Sequence, residues 1–536
     1  MKYSPLKISV LTDTHYYSLK SGKSGSAYDK ASAKSQKLLA ESGEVLAAAF
    51  EQIVDDKESD ILLISGDVTN NGELTAHEEI IAMLRELKSK GKRVYVITAT
   101  HDFRNSGETD AYDGDNVIKT PTATRDMLYD MYREFGPDEA IAVHRQSMSY
   151  IVQLCEGYRL FALNDDSNLS GKSGFSDECF EWITQQAQKA RDEGQFIIAM
   201  THHPLIAPSP IYELIGKGDM LGDYDKRLYQ LADLGIQFIL TGHTHIHNIS
   251  VDQSERGNVI YDICTGTAIG HPGVIRYITV DPDKNTVKAS TEYVKEPESF
   301  KKQGIKLKDI FEKQLIGTIR GMVETAGKDI DKLADMATSI SIKPKVIYKF
   351  GWIIKPVFKF LNALKVGTVA KWTKKETGLK PADYADIKNK KVVDIIIELV
   401  MNLYGGESKY LPETPTYKIT MGLFSIIDSV LKTIHVDLKK ILKVVPDASS
   451  LVEPLLYNDM FDSYEADLTV YPYIKEGESG EKLSFPPKLQ TVRPSKKGPA
   501  IIIISVLTLL IFLPLWLLII LIAFLNNQIK YGKKFK

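Results

Sequence analysis

Aspartate and histidine residues recur in the first half of the chain, each time directly after a short apolar run. The runs are rich in β-branched residues and cover residues 6–11, 61–65, 94–99, 196–200 and 238–241. Such runs predict strands that are covered on both faces, and the carboxyl ends of parallel strands meet at one edge of a sheet. The polar residues that follow the runs are, in order, Asp13, His15, Asp67, Thr100, His101, Asp102, His202, His243 and His245. Carboxylate and imidazole groups gathered at one edge predict a site for borderline divalent metal ions.

The elements that must position these residues alternate along the chain. Helical periodicity covers residues 37–54, 75–90, 176–191 and 224–234. Residues 149–165 predict a hairpin, and three later apolar stretches predict the closing strands of a sheet. The alternation is typical of an α/β fold in which a β-sandwich is flanked by helices.

Length and charge limit the class of protein. A chain of 536 residues is expected to hold more than one domain. Its 67 basic and 69 acidic residues give a net charge of −2. Proteins that bind nucleic acids usually carry a basic excess, so no nucleic-acid polymer is expected as a partner.

The pattern becomes mostly helical after about residue 298, which predicts a helical domain over residues 299–475. Within it, residues 341–375 hold nine lysines, no acidic residue and six aromatic residues. This composition is typical of a surface that lies on anionic membrane lipid. It is equally typical of a helix pair that packs its aromatic side chains inward, and the sequence leaves both interpretations open.

The last part of the chain is strongly apolar. Residues 500–525 contain no charged residue, and as a helix they would span about 39 Å, more than the ~30 Å hydrocarbon core of a bilayer. We therefore predict a linker over 476–498, one transmembrane helix over 499–525, in contact with membrane lipid, and a basic tail over 526–536. These segments predict a single-pass protein of the cell membrane. The N-terminus does not resemble a signal peptide, so we expect the N-terminal domain to face the cytoplasm.

The order of the polar motifs resembles the calcineurin-like metallophosphoesterase superfamily over roughly residues 6–280. The family pattern is D-x-H, G-D, G-N-H-D/E, H and G-H-x-H. The resemblance implies a catalytic domain over residues 1–298, a metallophosphoesterase-type β-sandwich and two divalent metal ions, which would be Mn, Fe or Zn. The stretch GDVTNNGE and the pair HHP are similar to the branch with class III cyclic-nucleotide phosphodiesterases. The resemblance therefore implies a phosphate ester as substrate, first of all a phosphodiester such as a cyclic nucleotide, with a nucleotide, a lipid-linked phosphoester and a phosphoprotein as alternatives.

The resemblance also implies roles for individual residues. The implied ligands are Asp13, His15 and His245 for the first metal ion, Asp67 for both ions, and His202 and His243 for the second ion. In the family mechanism, a hydroxide that bridges the ions attacks phosphorus in line. His101 would then give a proton or hydrogen bond to the leaving oxygen, and Asp102 would orient the His101 ring through its other nitrogen.

The chain departs from the family pattern at one position. The family has Gly-Asn before the histidine of the third motif, whereas this chain has Ala99 and Thr100. The asparagine gives a carbonyl oxygen to the second ion, and the Thr100 hydroxyl would be a shorter and poorer ligand. We therefore expect the second metal site at Thr100 to be weak, filled by water or selective for another ion, unless Asn70, Asn71 or Asn105 compensates.

Together these features predict a membrane-anchored binuclear metallophosphoesterase that hydrolyses a phosphate ester. The alternative is a non-catalytic membrane module with a degenerate metal site that binds a ligand or partner. Among the remaining histidines, His77 and His144 are expected on the surface. His247 is expected either to support the metal ligands or to be solvated.

Overall fold

The structure, a computed structural model, describes residues 4–483 apart from eight gaps. The gaps are residues 167–172, 210–211, 213–215, 338–343, 408–409, 434, 443–444 and 458–460. The strands are β1 Leu6–Leu11, β2 Ile61–Ser65, β3 Arg93–Ile97, β4 Glu108–Asp113, β5 Asn116–Pro121, β6 Ala142–His144, β7 Ser149–Cys155, β8 Tyr158–Ala162, β9 Phe196–Met200, β10 Phe238–Thr241, β11 Asn248–Gln253, β12 Val259–Cys264, β13 Val274–Asp281, β14 Thr286–Tyr293 and β15 Glu465–Thr469. The α-helices are α1 Ser26–Ser32, α2 Ser42–Asp55, α3 Leu74–Ser89, α4 Arg125–Tyr132, α5 Asp177–Asp192, α6 Tyr224–Asp233, α7 Glu298–Gln303, α8 Leu307–Ala326, α9 Ile330–Ala337, α10 Pro344–Ala363, α11 Val366–Trp372, α12 Lys374–Thr377, α13 Val392–Gly405, α14 Pro415–Thr433, α15 Leu438–Leu442 and α16 Ala448–Leu456.

Two sheets pack face to face and form the centre of the molecule. One has the strand order β15-β14-β13-β1-β2-β3 and the other has the order β11-β12-β10-β9-β8-β7-β6. Strands β1, β2 and β3 are parallel, and so are β8, β9, β10 and β12. The core between the sheets holds Ile8 and Leu63 from one sheet and Ile198 and Phe238 from the other. The predicted α/β sandwich is confirmed.

Helices cover the outer face of each sheet. Because side chains alternate along a strand, Leu62 of β2 points away from the central core, where it packs in one cluster with Leu46 of α2 and Leu84 of α3. On the other sheet, Ile239 of β10 packs in one cluster with Ile183 of α5. All five apolar runs are thus buried on both faces, which is why they lack polar alternation.

Hydrogen bonds explain why the end of β3 and the start of α2 differ from the sequence-based prediction. Strand β3 ends at Ile97 rather than residue 99, because the backbone N–H of Ala99 is bound by the carboxylate of Asp102 at 2.8 Å. Helix α2 begins at Ser42 rather than residue 37, because the backbone N–H of Leu38 donates to the carbonyl of Ile269 at 2.9 Å.

The chain from residue 298 to residue 456 is mostly helical and contacts the sandwich. Leu315 and Val323 of α8 pack with Ile397 and Met401 of α13. The end of α13 meets the loop after β10, where the backbone N–H of His247 donates to the carbonyl of Tyr404 at 2.9 Å. Strand β15 then pairs antiparallel with β14, so the chain returns to the edge of the first sheet.

The aromatic residues of the lysine-rich stretch take part in helix packing. Tyr348, Phe350 and Phe358 of α10 pack against a cluster that includes Ala326 of α8 and Ile330 of α9. The contacts agree with the interpretation in which a helix pair packs its aromatic side chains inward.

The predicted location in the cell membrane must be corrected. In the part of the chain that the structure describes, no helix combines the length and the apolar character that a membrane crossing needs. This finding contradicts the prediction of a single-pass membrane protein. The predicted span over residues 499–525, and the tail after it, lie outside the described residues.

Candidate metal centre

The loops after β1 and β2 run side by side and bring the first two motifs together. The N–H of Asp13 donates to the carbonyl of Gly66 at 3.1 Å, and the N–H of His15 donates to the carbonyl of Asp67 at 2.9 Å. The loop after β10 approaches from the second sheet, where the N–H of His243 donates to Asp13 Oδ2 at 2.9 Å. The carboxyl ends of strands from both sheets therefore meet at one place.

Three overlapping groups of side chains place possible ligand atoms within 4.8 Å of one another. The groups are Asp13 with His15 and His245, His15 with Asp67 and His101, and Asp67 with His202 and His243. The first and third groups have the composition that the family resemblance implies. The second group adds His101, which the resemblance does not count as a ligand.

Distances between these atoms match those expected around shared ions. The Nε2 atoms of His15 and His245 lie 3.1 Å apart, and His202 Nε2 lies 3.3 Å from His243 Nδ1. Two nitrogens that bind one zinc ion tetrahedrally at ~2.05 Å would be about 3.4 Å apart. Asp67 Oδ2 lies 3.2 Å from His202 Nε2 and 3.8 Å from His15 Nε2. Asp67 Oδ2 therefore lies beside one histidine of each of the two pairs.

A buried carboxylate oxygen provides an independent test of whether a cation fits. Asp13 Oδ1 has no hydrogen-bond partner among the described residues. It lies 3.6 Å from the Nε2 atom of His15 and 3.5 Å from that of His245. A buried anionic oxygen without a donor is costly, and a divalent ion would compensate its charge. The residues present fit a metal ion.

The electrostatics of the site favour positive charge. Burial by itself lowers the pKa of His202, but the nearby carboxylates of Asp67, Asp13 and Asp165 outweigh it and raise that pKa to about 10. Burial by itself raises the pKa of Asp13, but His15 and its neighbouring histidines bring that pKa well below its usual range. The carboxyl groups are therefore ionised and attract a cation.

The backbone at the candidate ligands is unusual. Among the residues that the structure describes, nine other than glycine have positive φ angles, and five of the nine are Asp13, His15, Asp67, His243 and His245. The left-handed region costs about 1–3 kcal/mol for such residues and occurs mainly at functional sites. The concentration of this strain at the strand ends is typical of a functional site.

The ring of His202 is oriented by the second strand. Its Nδ1 lies 2.8 Å from the carbonyl oxygen of Ser65 and donates to it, so Nε2 faces Asp67 and is the nitrogen that a metal ion would bind in place of a proton. Gly66 allows this approach, because a Cβ at that position would lie 2.5 Å from His202 Nδ1. The φ angle of Gly66, 100°, also favours glycine.

The predicted pairing of His101 with Asp102 is wrong. His101 Nδ1 donates to the carbonyl oxygen of Asn70 at 2.6 Å. The Asp102 carboxylate instead accepts from the backbone N–H groups of Thr69 at 2.7 Å and Ala99 at 2.8 Å. The two adjacent side chains diverge at this tight turn. Asp102 therefore connects the loop of Thr69 with the backbone at Ala99, and the carbonyl of Asn70 orients the His101 ring.

Thr100 is exposed, and its carbonyl oxygen accepts from Arg104 at 2.9 Å. Its role as a metal ligand therefore stays a prediction.

Several residues near the centre were not assigned from sequence. His203 Nδ1 lies 3.1 Å from Asp165 Oδ2, and the His203 ring centroid lies 4.1 Å from that of His243. The signals that could have identified them are the position of His203 in the HHP pair and the position of Asp165 just after β8.

His77, expected on the surface, is fully buried, and that prediction is wrong. His247 is also fully buried and accepts a hydrogen bond from Arg276 at 3.2 Å.

Comparison with known families agrees with this geometry. A family model described as calcineurin-like phosphoesterase matches residues 6–247, the part of the chain that carries every motif of the site. Residues 6–247 are a calcineurin-like phosphoesterase domain. This domain makes the protein a phosphoric ester hydrolase.

Solved structures with a similar fold were also found. A dimetal phosphatase from Danio rerio is 11% identical, with 54% of this chain and 97% of that chain covered and a TM-score of 0.38. A purple acid phosphatase from yellow lupin seeds is 12% identical, with 55% and 53% covered and a TM-score of 0.32. The NAD nucleotidase of Haemophilus influenzae is 12% identical, with 52% and 48% covered and a TM-score of 0.30. No curated protein matches the chain.

Proposed function

We propose that this metallophosphoesterase uses two divalent metal ions, which would be Mn, Fe or Zn, to hydrolyse a phosphodiester. The observation that carries the proposal is the position of Asp67 Oδ2, which lies beside His202 of one ligand set and His15 of the other. A carboxylate in that position suits a bridge between two ions. Asp13 and His245 would complete the first set, and the remaining ligand of the second set would be His243.

The chain's own residues prepare this site for two ions. The carbonyl of Ser65 holds the His202 ring so that Nε2 faces Asp67. The backbone N–H of His101 donates to Asp67 Oδ1 at 2.9 Å, which leaves Oδ2 of the same carboxylate for the ligand sets. When bound, two such ions supply Lewis-acid activation of water and neutralise charge on the phosphoryl oxygens.

We assign to His101 the hydrogen bond to the leaving oxygen of the substrate. Since its Nδ1 donates to the carbonyl of Asn70, its Nε2 is the nitrogen that remains for substrate. Burial lowers the pKa of His101 to about 4, Lys37 and Arg104 act in the same direction, and Asp67 opposes them. An anionic substrate beside the ring would favour the protonated form, so proton transfer to the leaving group would depend on bound substrate.

The phosphodiester class rests on the similarity of GDVTNNGE and HHP to class III cyclic-nucleotide phosphodiesterases. We further propose that residues 1–298 form the catalytic domain and that residues 299–475 form a helical domain. The weaker second metal site at Thr100 belongs to the same proposal.

The deciding experiment combines metal content with turnover. The full chain is loaded with Mn²⁺, its metal stoichiometry is measured, and hydrolysis of bis(p-nitrophenyl) phosphate, p-nitrophenyl phosphate and a cyclic nucleotide is followed with and without a chelator. We expect about two ions per chain, hydrolysis of the diesters and loss of activity on chelation. Two bound ions without hydrolysis of any ester would favour a non-catalytic binding module, and faster hydrolysis of the monoester would contradict the diester assignment.

A further inference from the structure

Asp165 lies beside the candidate metal centre but belongs to none of the five motifs. It follows strand β8, which pairs with β9 in parallel. Because parallel strands end at one edge of a sheet, the chain after β8 emerges next to the loop after β9 that carries His202. The carbonyl of Asp165 accepts from the backbone N–H of Gly174 at 2.6 Å, and the residue is fully buried. Its carboxylate therefore faces neighbouring protein groups rather than water.

One oxygen of this carboxylate binds both neighbours of His202. Asp165 Oδ2 accepts from the Thr201 hydroxyl at 3.0 Å and from the backbone N–H of His203 at 2.7 Å. The His203 ring adds a third bond, since its Nδ1 lies 3.1 Å from the same oxygen and donates to it. Hydrogen bonds to an ionised acceptor are about twice as strong as neutral ones. The residues before and after His202 are thus bound to one point, which restricts the backbone of His202 between them.

The His203 ring connects Asp165 with another candidate ligand. Its centroid lies 4.1 Å from that of His243 and 5.1 Å from that of His202. Because Asp165 binds Nδ1 of His203, the ring is held in one orientation against both of these candidate ligands. The Asp165 carboxylate therefore limits the positions that His202 and His243 can take.

These two histidines belong to the ligand set of the second ion. Two members of the first set, Asp13 and His15, are held instead by backbone hydrogen bonds to the loop after β2. In the described part of the chain, no hydrogen bond or ion pair of Asp165 involves Asp13, His15 or His245. The hydrogen bonds of Asp165 are therefore directed at one of the two ligand sets.

The burial of this carboxylate is only partly compensated. Oδ2 has three donors, but Oδ1 has no hydrogen-bond partner among the described residues. A buried anionic oxygen without a donor is costly. Buried groups of this kind are expected at functional sites rather than in ordinary packing. The position of Asp165 next to His202 and His203 agrees with a role at the metal centre.

We infer that Asp165 is a positioning residue that holds His202 and His243 in place for the second metal ion. The inference rests on the proposed function, because it takes the two ligand sets to bind two ions. It assigns a role to a residue outside the five motifs. Replacement of a group that orients metal ligands typically weakens metal binding about 10- to 100-fold. Loss of the Asp165 carboxylate should therefore weaken binding of the second ion and leave binding of the first unchanged.

The test measures Mn²⁺ binding to the metal-free full chain by titration calorimetry in two backgrounds. His243→Ala keeps the first ligand set and His245→Ala keeps the second, so each background reports on one ion. We expect Asp165→Ala to weaken Mn²⁺ binding about 10- to 100-fold in the His245→Ala background and not to change it in the His243→Ala background. Asp165→Asn should stay within about threefold of its background, because the amide oxygen accepts the bonds that Oδ2 accepts.

Asp428→Ala is the matched control for a general loss of stability. The Asp428 carboxylate in α14 also accepts three bonds, from the N–H of Ala448 at 2.7 Å and from the N–H and hydroxyl of Ser449 at 3.1 and 2.5 Å. Its replacement should lower the melting temperature without changing Mn²⁺ binding in either background.

A second variant provides the test if Asp165→Ala does not fold. Thr201→Val removes one of the three bonds to Asp165 Oδ2 and keeps the shape of the side chain. It should weaken Mn²⁺ binding about 2- to 10-fold in the His245→Ala background and not change it in the His243→Ala background.

The outcomes separate this inference from the proposed function. Unchanged Mn²⁺ affinity on removal of the Asp165 carboxylate in the His245→Ala background would overturn the role of Asp165. An equal loss in the His243→Ala background, or in Asp428→Ala, would also overturn it, since either would indicate general destabilisation. A wild type that binds a single Mn²⁺ would refute the proposed function and this inference with it. Two bound ions without hydrolysis of any ester would refute the proposed function alone, and the comparison of Asp165 variants would stay decisive.

Discussion

The buried His77 offers a prediction that does not depend on metal. Its ring lies on α3, where Nε2 donates to the carbonyl oxygen of Asp102 at 2.8 Å and Nδ1 accepts from the Tyr132 hydroxyl at 2.7 Å. One neutral tautomer satisfies both bonds. Burial lowers the pKa of His77 to about 4, and the bond to Asp102 acts in the opposite direction. His77 thus connects α3 to the turn that carries His101.

The pH dependence follows from the direction of this shift. Between pH 6.5 and 4 the unfolded chain binds a proton at His77 that the folded protein does not, so stability falls as the pH falls through this window. A pKa difference of about 2.5 units changes the free energy of unfolding by about 3.4 kcal/mol over the whole titration, and by about 2 kcal/mol between pH 7 and pH 5. At pH 7 the replacement His77→Leu leaves the Asp102 carbonyl and the Tyr132 hydroxyl unpaired, which costs about 2–4 kcal/mol.

The assay is urea unfolding of the full chain at pH 7 and pH 5, followed by circular dichroism. The difference in the free energy of unfolding between wild type and His77→Leu should be about 2 kcal/mol smaller at pH 5 than at pH 7, because the variant has no proton to bind at this position. His435→Gln is the control, since His435 is exposed. A difference that is equal at both pH values would refute the argument from burial.

Four further replacements test the proposed roles at the centre. Asp67→Ala should remove both metal ions whereas His243→Ala should remove mainly one; elemental analysis decides, and full metal content in Asp67→Ala would exclude a shared ligand. His101→Asn should keep its metal but slow turnover by about 10²–10⁴-fold, with a smaller loss for p-nitrophenyl esters than for alkyl esters; equal losses would contradict the hydrogen bond to the leaving group. Thr100→Asn should move the activation curve to lower free Mn²⁺ because an amide oxygen is the better ligand; superimposed curves would mean that Thr100 does not weaken the second site.

Most of the strands that position the site could be predicted from local patterns in the sequence. Four of the five apolar runs form strands with the predicted bounds, and the fifth, β3, differs because Asp102 binds the backbone just after it. Continuous apolar runs are strong signals since burial on both faces leaves no place for polar residues. The start of α2 was harder to predict, because the partner of Leu38 is Ile269, more than two hundred residues away.

The five motifs could be found from the sequence alone, because each follows an apolar run that forms a strand. Their meeting at one place depends on the packing of the two sheets, since β1, β2 and β3 belong to one sheet and β9 and β10 to the other. The hydrogen bonds between them depend on the tertiary structure. His101 is adjacent to Asp102 in sequence, yet its ring is bound by Asn70 and the Asp102 carboxylate by Thr69 and Ala99. A tight turn sends neighbouring side chains in different directions, and only the packing of the loops decides which backbone groups they reach. For the same reason, sequence could identify the metal ligands as candidates but could not place His203 and Asp165 beside them.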